Sequence, residues 1–210
     1  DGAGSVLGEM SMLTGYPCSA DVVATSPVHA LVLPMDQYES LRTAWPEVEI
    51  ALSQLVSDRL GHRRHDALCG KSLGGYRLQR CLSSGAMGVV YAAEEESSGD
   101  VVALKMLRHR FINSPRVISR FDQEVSLLRQ LEHPNIVALR GHFIAYRTRF
   151  IVLDLYDGAD LRQLVRHHGS IPESAARAAL GQIAAGLRYA HAQGVLHLDL
   201  KPANVLINQE

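Results

Sequence analysis

Two kinds of apolar pattern divide the chain into predicted helices and strands. In some segments apolar side chains recur every three or four residues, which predicts amphipathic helices. These segments are residues 35–44, 46–60, 114–131 and 173–190. In others the apolar residues form short uninterrupted runs, which predicts strands. These runs lie at residues 29–33, 101–105 and 150–155.

The helix predicted after Ser114 and Pro115 places one charged residue in an unfavourable position. Its apolar stripe consists of Val117, Phe121, Val125, Leu128 and Leu131. Glu124 lies on this stripe, where burial of an unpaired carboxylate would cost several kcal/mol. A cation is therefore expected beside it, and Lys105, at the end of the strand 101–105, is the natural candidate. The alternative is that Glu124 lies at the edge of the stripe and reaches water.

A longer helix is predicted from residue 173 onward. Ser170 and Glu173 fit a capping box around Pro172, and Gly194 is a typical stop. The expected buried stripe consists of Ala176, Leu180, Ile183, Leu187 and Ala190. This stripe predicts a core helix.

Groups suited to phosphoryl transfer occur together at residues 197–204, HLDLKPAN. The carboxylate of Asp199, the ammonium of Lys201 and the amide of Asn204 could orient a hydroxyl, neutralise phosphate charge and hold a metal ion. A solvated loop with a local salt bridge would also explain so short a motif. Patterns earlier in the chain decide between these interpretations.

The earlier patterns are a turn of small residues at 82–91, LSSGAMGVVY, and the strand 101–105, VVALK. Glycine lets backbone amides approach phosphate oxygens because no side chain intervenes. Without a ligand, the turn could be an ordinary β-hairpin, and a lysine at the end of a strand is often a surface residue. HPNIV at 133–137, the strand 150–155 and the turn at 157–161 follow in order.

Taken together and in this order, the motifs resemble those of serine/threonine protein kinases over residues 74–210. The catalytic-loop pattern of that family is H-R-D-x-K-x-x-N, and the resemblance implies that Asp199 accepts the proton of the substrate hydroxyl. It implies likewise that Lys201 neutralises charge on the migrating phosphoryl group and that Asn204 binds Mg²⁺. Leu198 stands where most members carry Arg.

The same resemblance implies an ATP site. Gly85 and Gly88 match glycines of the Gly-rich loop, with Ser83 at the first glycine position, and Lys105, fixed by Glu124, would bridge the α- and β-phosphates. Leu153 matches the gatekeeper, and Asp154 and Tyr156 bound the hinge that meets adenine. The apolar residues expected around adenine are Leu82, Val90, Ala103 and Leu206.

Asp160 follows this hinge and leaves two interpretations. By the resemblance, its carboxylate could reach the ribose of ATP or a basic residue of a protein substrate. As an ordinary surface Asp it would have no role in the site.

The N-terminal third resembles another family, the cyclic-nucleotide-binding domains. LGEMSML at 7–13 and PCSADVVA at 17–24 resemble their phosphate-binding cassette. The resemblance implies that Glu9 takes the ribose hydroxyl, but Cys18 replaces the Arg that grips the cyclic phosphate. A thiol has neither the fixed charge nor the fork of a guanidinium, so binding of cAMP or cGMP is expected to be weak. The cassette residues are Gly8, Glu9, Cys18, Ser19 and Ala20.

Composition and charge narrow the function classes. The 210 residues carry a net charge of −1, which argues against a nucleic-acid-binding footprint. No apolar run is long enough for a membrane span. The three cysteines are odd in number and lack Cys-x-x-Cys spacing, which favours reduced thiols in the cytoplasm.

The sequence therefore predicts an α+β protein with two domains. Residues 1–64 are the C-terminal part of a cyclic-nucleotide-binding barrel with its helices, 65–75 a linker, and 76–210 a truncated kinase domain with a β-rich N-lobe and the helical start of the C-lobe. No Asp-Phe-Gly triplet occurs in the 210 residues. The expected function is transfer of the ATP γ-phosphate to Ser or Thr of a protein, with no activity from these residues alone. The alternative is a pseudokinase scaffold that binds ATP or a protein partner without turnover.

Overall fold

The computed structural model describes residues 2, 4–14, 17–18, 21–61, 66–156 and 158–208. The cassette residues Ser19 and Ala20 lie outside the described residues. The helices are α1 Glu9–Thr14, α2 Met35–Ala44, α3 Pro46–Arg59, α4 Pro115–Leu128, α5 Leu161–His168 and α6 Glu173–Ala192. The strands are β1 Ser72–Leu73, β2 Tyr76–Ser84, β3 Gly88–Glu95, β4 Val101–Leu107, β5 Leu139–Ala145, β6 Thr148–Asp154, β7 Gly158–Asp160 and β8 Leu206–Asn208.

An antiparallel sheet of six strands, in the order β1-β2-β3-β4-β6-β5, forms the centre of the molecule. Strand β5 alternates half-buried and exposed side chains, whereas β4 and β6 are buried over most of their length. The main core cluster lies against this sheet and contains Leu78, Tyr91, Leu104 and Phe150. A second cluster joins Phe121 and Val125 of α4 to the sheet, so α4 is held against it.

Part of the segment predicted as a linker is packed into this core. Leu68 and Leu73 are buried, and β1 pairs with β2. The Asp66 carboxylate accepts hydrogen bonds from the Gly61 amide and from the Tyr91 hydroxyl. Residues 66–73 are therefore structured and packed against the sheet.

The N-terminal third contains helices α1–α3 and no strand among its described residues. The helices predicted at 35–44 and 46–60 are confirmed, but the strand predicted at 29–33 is wrong. Residues 21–34 form neither helix nor strand, and most of their apolar side chains are exposed. A strand needs a neighbour to pair its backbone groups, and residues 29–33 pair with no strand in the described part of the chain.

The apolar pattern of residues 46–60 predicts Val48, Leu52, Leu55 and Val56 on the buried face of α3, and the inward side of the helix is more polar than that. Its buried residues are Glu49, Ser53, Val56 and Ser57, whereas Val48 and Leu52 are only half-buried and Leu55 is exposed. Glu49 forms an ion pair with Arg147 of the β5–β6 turn at 2.9 Å. Val56 is fully buried in the main core cluster, as predicted. Beside it, α3 contacts charged and backbone groups of the sheet domain, and polar side chains are buried there.

Helix α6 confirms the predicted stop but not the predicted start. Pro172 occupies the cap position and makes no side-chain cap hydrogen bond, so the capping box of Ser170 and Glu173 is wrong. The Glu173 carboxylate accepts hydrogen bonds from Arg177 one turn later instead. Gly194 has φ of +74°, the backbone conformation typical of a helix stop. Of the predicted stripe, Ala190 is buried and Leu180 is exposed.

His109 is fully buried in the 3-10 turn His109–Phe111 that follows β4. Its Nε2–H donates to the Tyr146 carbonyl at 2.8 Å, and its Nδ1 has no partner among the residues described. Burial lowers the pKa of His109 to about 4, although the hydrogen bond to Tyr146 acts in the opposite direction. The imidazole is therefore neutral in the folded protein at neutral pH.

We expect this histidine to make stability fall with acidification. In the unfolded chain it gains a proton as pH falls through 6.5, whereas the folded form resists protonation until pH about 4, so acid favours unfolding over this window by up to about 3 kcal/mol. Chemical denaturation of wild type and His109→Gln between pH 7 and 4 measures it. Gln can still donate to the Tyr146 carbonyl, and its pH dependence should be flatter. Parallel curves for the two proteins would contradict the assignment.

Candidate active site

Lys105 and Glu124 form an ion pair between the central sheet and α4. The Lys105 Nζ lies 2.5 and 2.8 Å from the two carboxylate oxygens of Glu124. The pairing predicted from the helical stripe is confirmed. The expected burial of Glu124 is wrong, since 40% of its side chain and 30% of that of Lys105 remain exposed. Glu124 lies at the open edge of the helix–sheet contact, where the Lys105 ammonium is accessible to a ligand.

Strand register brings the residues predicted around adenine to the same face of the sheet as Lys105. Val90 of β3 lies opposite Lys105, and Leu153 of β6 lies opposite Ala103. Paired residues, and residues two apart on one strand, project from the same face. Val90, Ala103, Lys105 and Leu153 therefore share a face.

Leu82 and Leu206, also predicted near adenine, come from outside this regular pairing. Leu82 lies where the β2–β3 register shifts between Cys81 and Ser83. Leu206 begins β8, which pairs with β7, and is 47% exposed. An apolar side chain left open in this way has surface available for a ligand.

The two glycines of the turn between β2 and β3 have different structural roles. The Gly85 amide donates to the Gly88 carbonyl at 2.9 Å and closes the turn. A Cβ on Gly88 would lie 2.7 Å from the Met106 carbonyl oxygen, so the β3–β4 contact excludes any side chain there. A Cβ on Gly85 would meet nothing closer than 3.6 Å. The same virtual Cβ of Gly88 lies 3.9 Å from Lys105 Cγ, so the turn and the lysine are neighbours.

The carboxylates predicted at the hinge are already engaged within the protein. Asp154 Oδ1 accepts from Arg140 Nε at 2.6 Å, and the Asp154 amide donates to the Ala138 carbonyl at 3.0 Å. Asp160 caps α5 by accepting from the Gln163 amide at 2.8 Å. The Tyr156 carbonyl accepts from the Gly158 amide at 3.1 Å. Asp160 is therefore a helix cap with only 11% of its side chain exposed, and not an ordinary surface residue.

The groups at 197–204 converge on the Asp199 carboxylate. Lys201 Nζ donates to Asp199 Oδ2 at 2.7 Å, and the Asn204 amide nitrogen donates to the same oxygen at 3.2 Å. The hydrogen bond from Lys201 is the main cause that lowers the pKa of Asp199; desolvation opposes it, and the hydrogen bond from Asn204 adds to the lowering. Asp199 is thus an exposed, ionised carboxylate with an adjacent ammonium.

Backbone conformation sets the position of this carboxylate. Leu198 has φ of +57°, a left-handed conformation that is uncommon for a residue other than glycine, and its side chain is 90% exposed. Asn204 lies in the 3-10 turn Pro202–Asn204 and also donates to the Asp199 carbonyl at 2.9 Å. The Leu161 amide donates to the Val205 carbonyl, which ties the loop to the start of α5.

Asn204 fits a magnesium ion as a single ligand. Both of its side-chain hydrogen bonds come from the amide nitrogen, which leaves the amide oxygen free to face a cation. Mg²⁺ prefers oxygen ligands and usually takes only one or two from the protein beside substrate phosphates. No group of three His, Cys, Asp or Glu side chains suited to a metal occurs within the described ranges.

The cassette residues lie apart from these groups, around α1. Glu9 is buried and forms an ion pair with Arg59 of α3 at 2.7 Å. Arg59 also donates to the Val6 carbonyl. Gly8 directly precedes α1, and the exposed Cys18 thiol accepts a hydrogen bond from Ser11 at 3.3 Å. The carboxylate expected to take a ribose hydroxyl therefore already has a cation.

The contacts of three arginines in these regions could not be predicted from the sequence. Arg59 holds Glu9, Arg140 holds Asp154, and Arg108 reaches the turn between β2 and β3. Each contact joins positions from 14 to 50 residues apart in the chain. Helical and strand periodicities report only neighbours within one element, so they carry no signal for such pairs.

Comparison with known proteins identifies the class to which this fold and site belong. The sequence profile of the family described as the protein kinase domain matches residues 76–210. The chain belongs to the protein kinase family, and the kinase fold expected from the sequence, with a β-sheet N-lobe followed by helices, is confirmed.

Individual relatives come from bacteria and plants. The chain is 37% identical to the serine/threonine-protein kinase PkaA of Streptomyces coelicolor over 145 residues, which is 64% of this chain and 27% of PkaA. It is 36% identical to PknD of Mycobacterium tuberculosis over 138 residues, 66% of this chain and 21% of PknD. It is 32% identical to the CBL-interacting serine/threonine-protein kinase 16 of Arabidopsis thaliana over 136 residues, 64% of this chain and 29% of that protein. The chain thus spans only about a quarter of the length of these relatives.

Among solved structures, the kinase domain of Mycobacterium tuberculosis PknI is similar to this chain. The C20A mutant of PknI superposes with a TM-score of 0.60 and 29% identity, over 67% of this chain and 58% of the PknI chain. Within the part of the chain that the structure describes, no helix has the length and apolar character needed to cross a bilayer.

Proposed function

We propose that the protein transfers the γ-phosphate of ATP to serine or threonine hydroxyls of a protein substrate. The observation that carries the proposal is the Lys105–Glu124 ion pair beside the Gly-rich turn, in a chain that also presents an ionised Asp199 next to Lys201. The similarity to serine/threonine-protein kinases supports the substrate class. A cytoplasmic location belongs to the same proposal, as does a division into an N-terminal unit, residues 1–64, and a kinase domain, residues 76–210, with residues 66–73 packed on the kinase sheet.

Each group of the site has a role in this mechanism. Lys105, fixed by Glu124, binds the α- and β-phosphates of ATP, and the amides of the Gly-rich turn face phosphate oxygens. Adenine is enclosed by five apolar side chains, those of Leu82, Val90, Ala103, Leu153 and Leu206. The backbone from Asp154 to Tyr156 meets the polar edge of the adenine ring. Asn204 supplies one oxygen ligand to Mg²⁺, which when bound neutralises phosphate charge.

Asp199 orients the hydroxyl of the substrate for in-line attack. As the new oxygen–phosphorus bond forms and the bond to the ADP oxygen breaks, the hydroxyl proton passes to Asp199, while Lys201 offsets charge on the migrating phosphoryl group. Radiolabelled phosphate transfer from ATP to a Ser/Thr-rich protein by the full-length protein tests the proposal. ATP binding without transfer under these conditions would favour the pseudokinase scaffold.

We further propose that residues 1–64 derive from a cyclic-nucleotide-binding domain that no longer senses cyclic nucleotides. Helices α2 and α3 follow the cassette along the chain, in the order that the sequence resemblance implies, which supports the derivation. Cys18 is exposed and uncharged in place of the phosphate-binding Arg, and Arg59 engages Glu9. Both features disfavour a cyclic nucleotide at this position.

Replacement of Cys18 by Arg is expected to restore part of the lost affinity. Calorimetric titration of the full-length wild type with cAMP and cGMP should give no binding at low micromolar concentration, since a charge-assisted phosphate contact is worth about 1.5 to 3 kcal/mol. Cys18→Arg should bind measurably, and Ser26→Arg, at an exposed position outside the cassette, is the control. Submicromolar affinity of the wild type would contradict a silent sensor.

A further inference from the structure

Arg108, the residue that directly follows β4, contacts the Gly-rich turn with its backbone and its side chain. Its amide donates to the Met87 carbonyl at 3.1 Å. Its guanidinium donates to the Gly85 carbonyl at 2.8 Å and to the Ser84 hydroxyl at 2.6 Å. Arg110 completes the set by donating to the Ala86 carbonyl at 2.5 Å. The carbonyls of three consecutive turn residues are thus held by the segment 108–110.

Holding these carbonyls fixes the direction of the amides that follow them. In a planar trans peptide the N–H points opposite to the C=O of the same unit. With the carbonyls of Gly85 and Ala86 drawn toward Arg108 and Arg110, the amides of Ala86 and Met87 point to the other side of the turn. Successive amides that face one way form an anion-binding concavity. The geometry thus favours a phosphate on that side.

The same guanidinium is anchored to the C-terminal end of α3. Arg108 Nη1 donates to the Ser57 carbonyl at 2.8 Å and lies 3.5 Å from the Leu60 carbonyl. The Arg110 amide donates to the Ser57 hydroxyl at 2.9 Å. Gly61 approaches the turn so closely that a Cβ on it would lie 2.6 Å from Ser84 Oγ. The N-terminal helices and the Gly-rich turn therefore meet at one side chain.

We propose that Arg108 is a positioning residue for ATP, which holds the Gly-rich turn in its phosphate-binding shape through contact with the end of α3. The proposal rests on the proposed kinase function. It makes ATP affinity depend on the docking of the N-terminal helices against the Gly-rich turn. Lysine cannot replace Arg108. The forked guanidinium contacts the carbonyls of Ser57 and Gly85 and the Ser84 hydroxyl at the same time, and a single ammonium group cannot reach all three.

Titration of the full-length protein with a non-hydrolysable ATP analogue and with adenosine tests the proposal. Arg108→Met and Arg108→Lys should each weaken binding of the analogue about tenfold, the scale of one charge-assisted hydrogen bond. Adenosine has no phosphates, so its affinity should not change. Arg116→Met, at an exposed position of α4, is the matched control. If Arg108 only maintained the fold, its replacement would weaken binding of the analogue and of adenosine together, and that result would overturn the proposal.

A second pair of variants tests the link to α3 without altering Arg108. Gly61 and Gly70 have similar φ values of +88° and +82°, but a Cβ on Gly70 would meet nothing within 4 Å. Alanine strains the backbone equally at both positions, and only Gly61→Ala pushes against Ser84. Gly61→Ala should weaken binding of the ATP analogue several-fold, while Gly70→Ala should bind the analogue as tightly as the wild type does.

The failures of the two proposals are distinguishable. If wild type binds the ATP analogue and Arg108→Met and Gly61→Ala bind it equally well, the role of Arg108 is disproved and the kinase function stands. If the wild type binds neither the analogue nor adenosine, the proposed function fails, and the positioning role fails with it.

Discussion

Replacement of Asp199 by Asn is expected to lower kcat for phosphate transfer by about a thousandfold, within the range by which a positioned general base contributes. Asn keeps the shape of the side chain and can still accept from Lys201, but it cannot take a proton. Because Lys201 lowers the pKa of Asp199, the wild-type carboxylate stays ionised through the mildly acidic range. Steady-state kinetics in the full-length protein measure the effect, with ATP binding determined separately.

MgATP affinity should change by no more than about twofold in Asp199→Asn, since the carboxylate acts on the substrate hydroxyl and contributes little to ground-state binding. Asp21→Asn, at an exposed carboxylate of the N-terminal third, is the matched control and should keep full activity. Wild-type turnover by Asp199→Asn would show that the catalytic loop has been assigned to the wrong residues.

Loss of Lys105 is expected to act through the nucleotide. Lys105→Met should lower kcat/KM for ATP by on the order of a hundredfold, as removal of one preorganised phosphate contact does. Glu124→Gln leaves the ammonium in place but loosens it, and roughly a tenfold loss is expected because one charge-assisted hydrogen bond is weakened. Lys71→Met, at the lysine just before β1, serves as the control.

A double-mutant cycle distinguishes a shared role from two separate ones. If Glu124 acts only by fixing Lys105, adding Glu124→Gln to Lys105→Met should cost no more than about twofold. Full additivity of the two losses would mean that Glu124 has its own contact with substrate or metal. The 2.5 and 2.8 Å separations between Nζ and both carboxylate oxygens are the reason to expect strong coupling.

Two kinds of feature could be predicted from the sequence: those that repeat within one helix or strand, and pairings that a charged residue on an apolar stripe calls for. The stripe of α4 predicted a cation beside Glu124, and the structure pairs Glu124 with Lys105, although 40% of the Glu124 side chain is exposed. The bounds of α2, Met35–Ala44, follow directly from the chain. The sequence failed where tertiary contacts decide. No strand forms at residues 29–33, because no strand of the described residues pairs with them. The contacts of Asp154 with Arg140 and of Asp160 with the Gln163 amide could not be predicted from the sequence either.

The polar side of α3 is a further case in which context overrides the pattern. A helix that packs on apolar side chains should bury residues such as Val48 and Leu52, whereas α3 packs on Arg147 and on the backbone beyond β4 and buries Glu49 and Ser57 instead. Hydrophobic periodicity detects which face is apolar. It cannot detect which face a charged neighbour will select.

The close approach of β3 to β4 at Gly88 changes how descendants and distant relatives of this chain should be judged. The sheet itself forbids a side chain at position 88, so selection for folding alone preserves that glycine, even in a lineage that has given up nucleotide binding. Position 85 is under no such structural constraint, because a Cβ fits there. Survival of glycine at position 85, rather than at 88, is therefore the more informative mark of a lineage that still uses ATP.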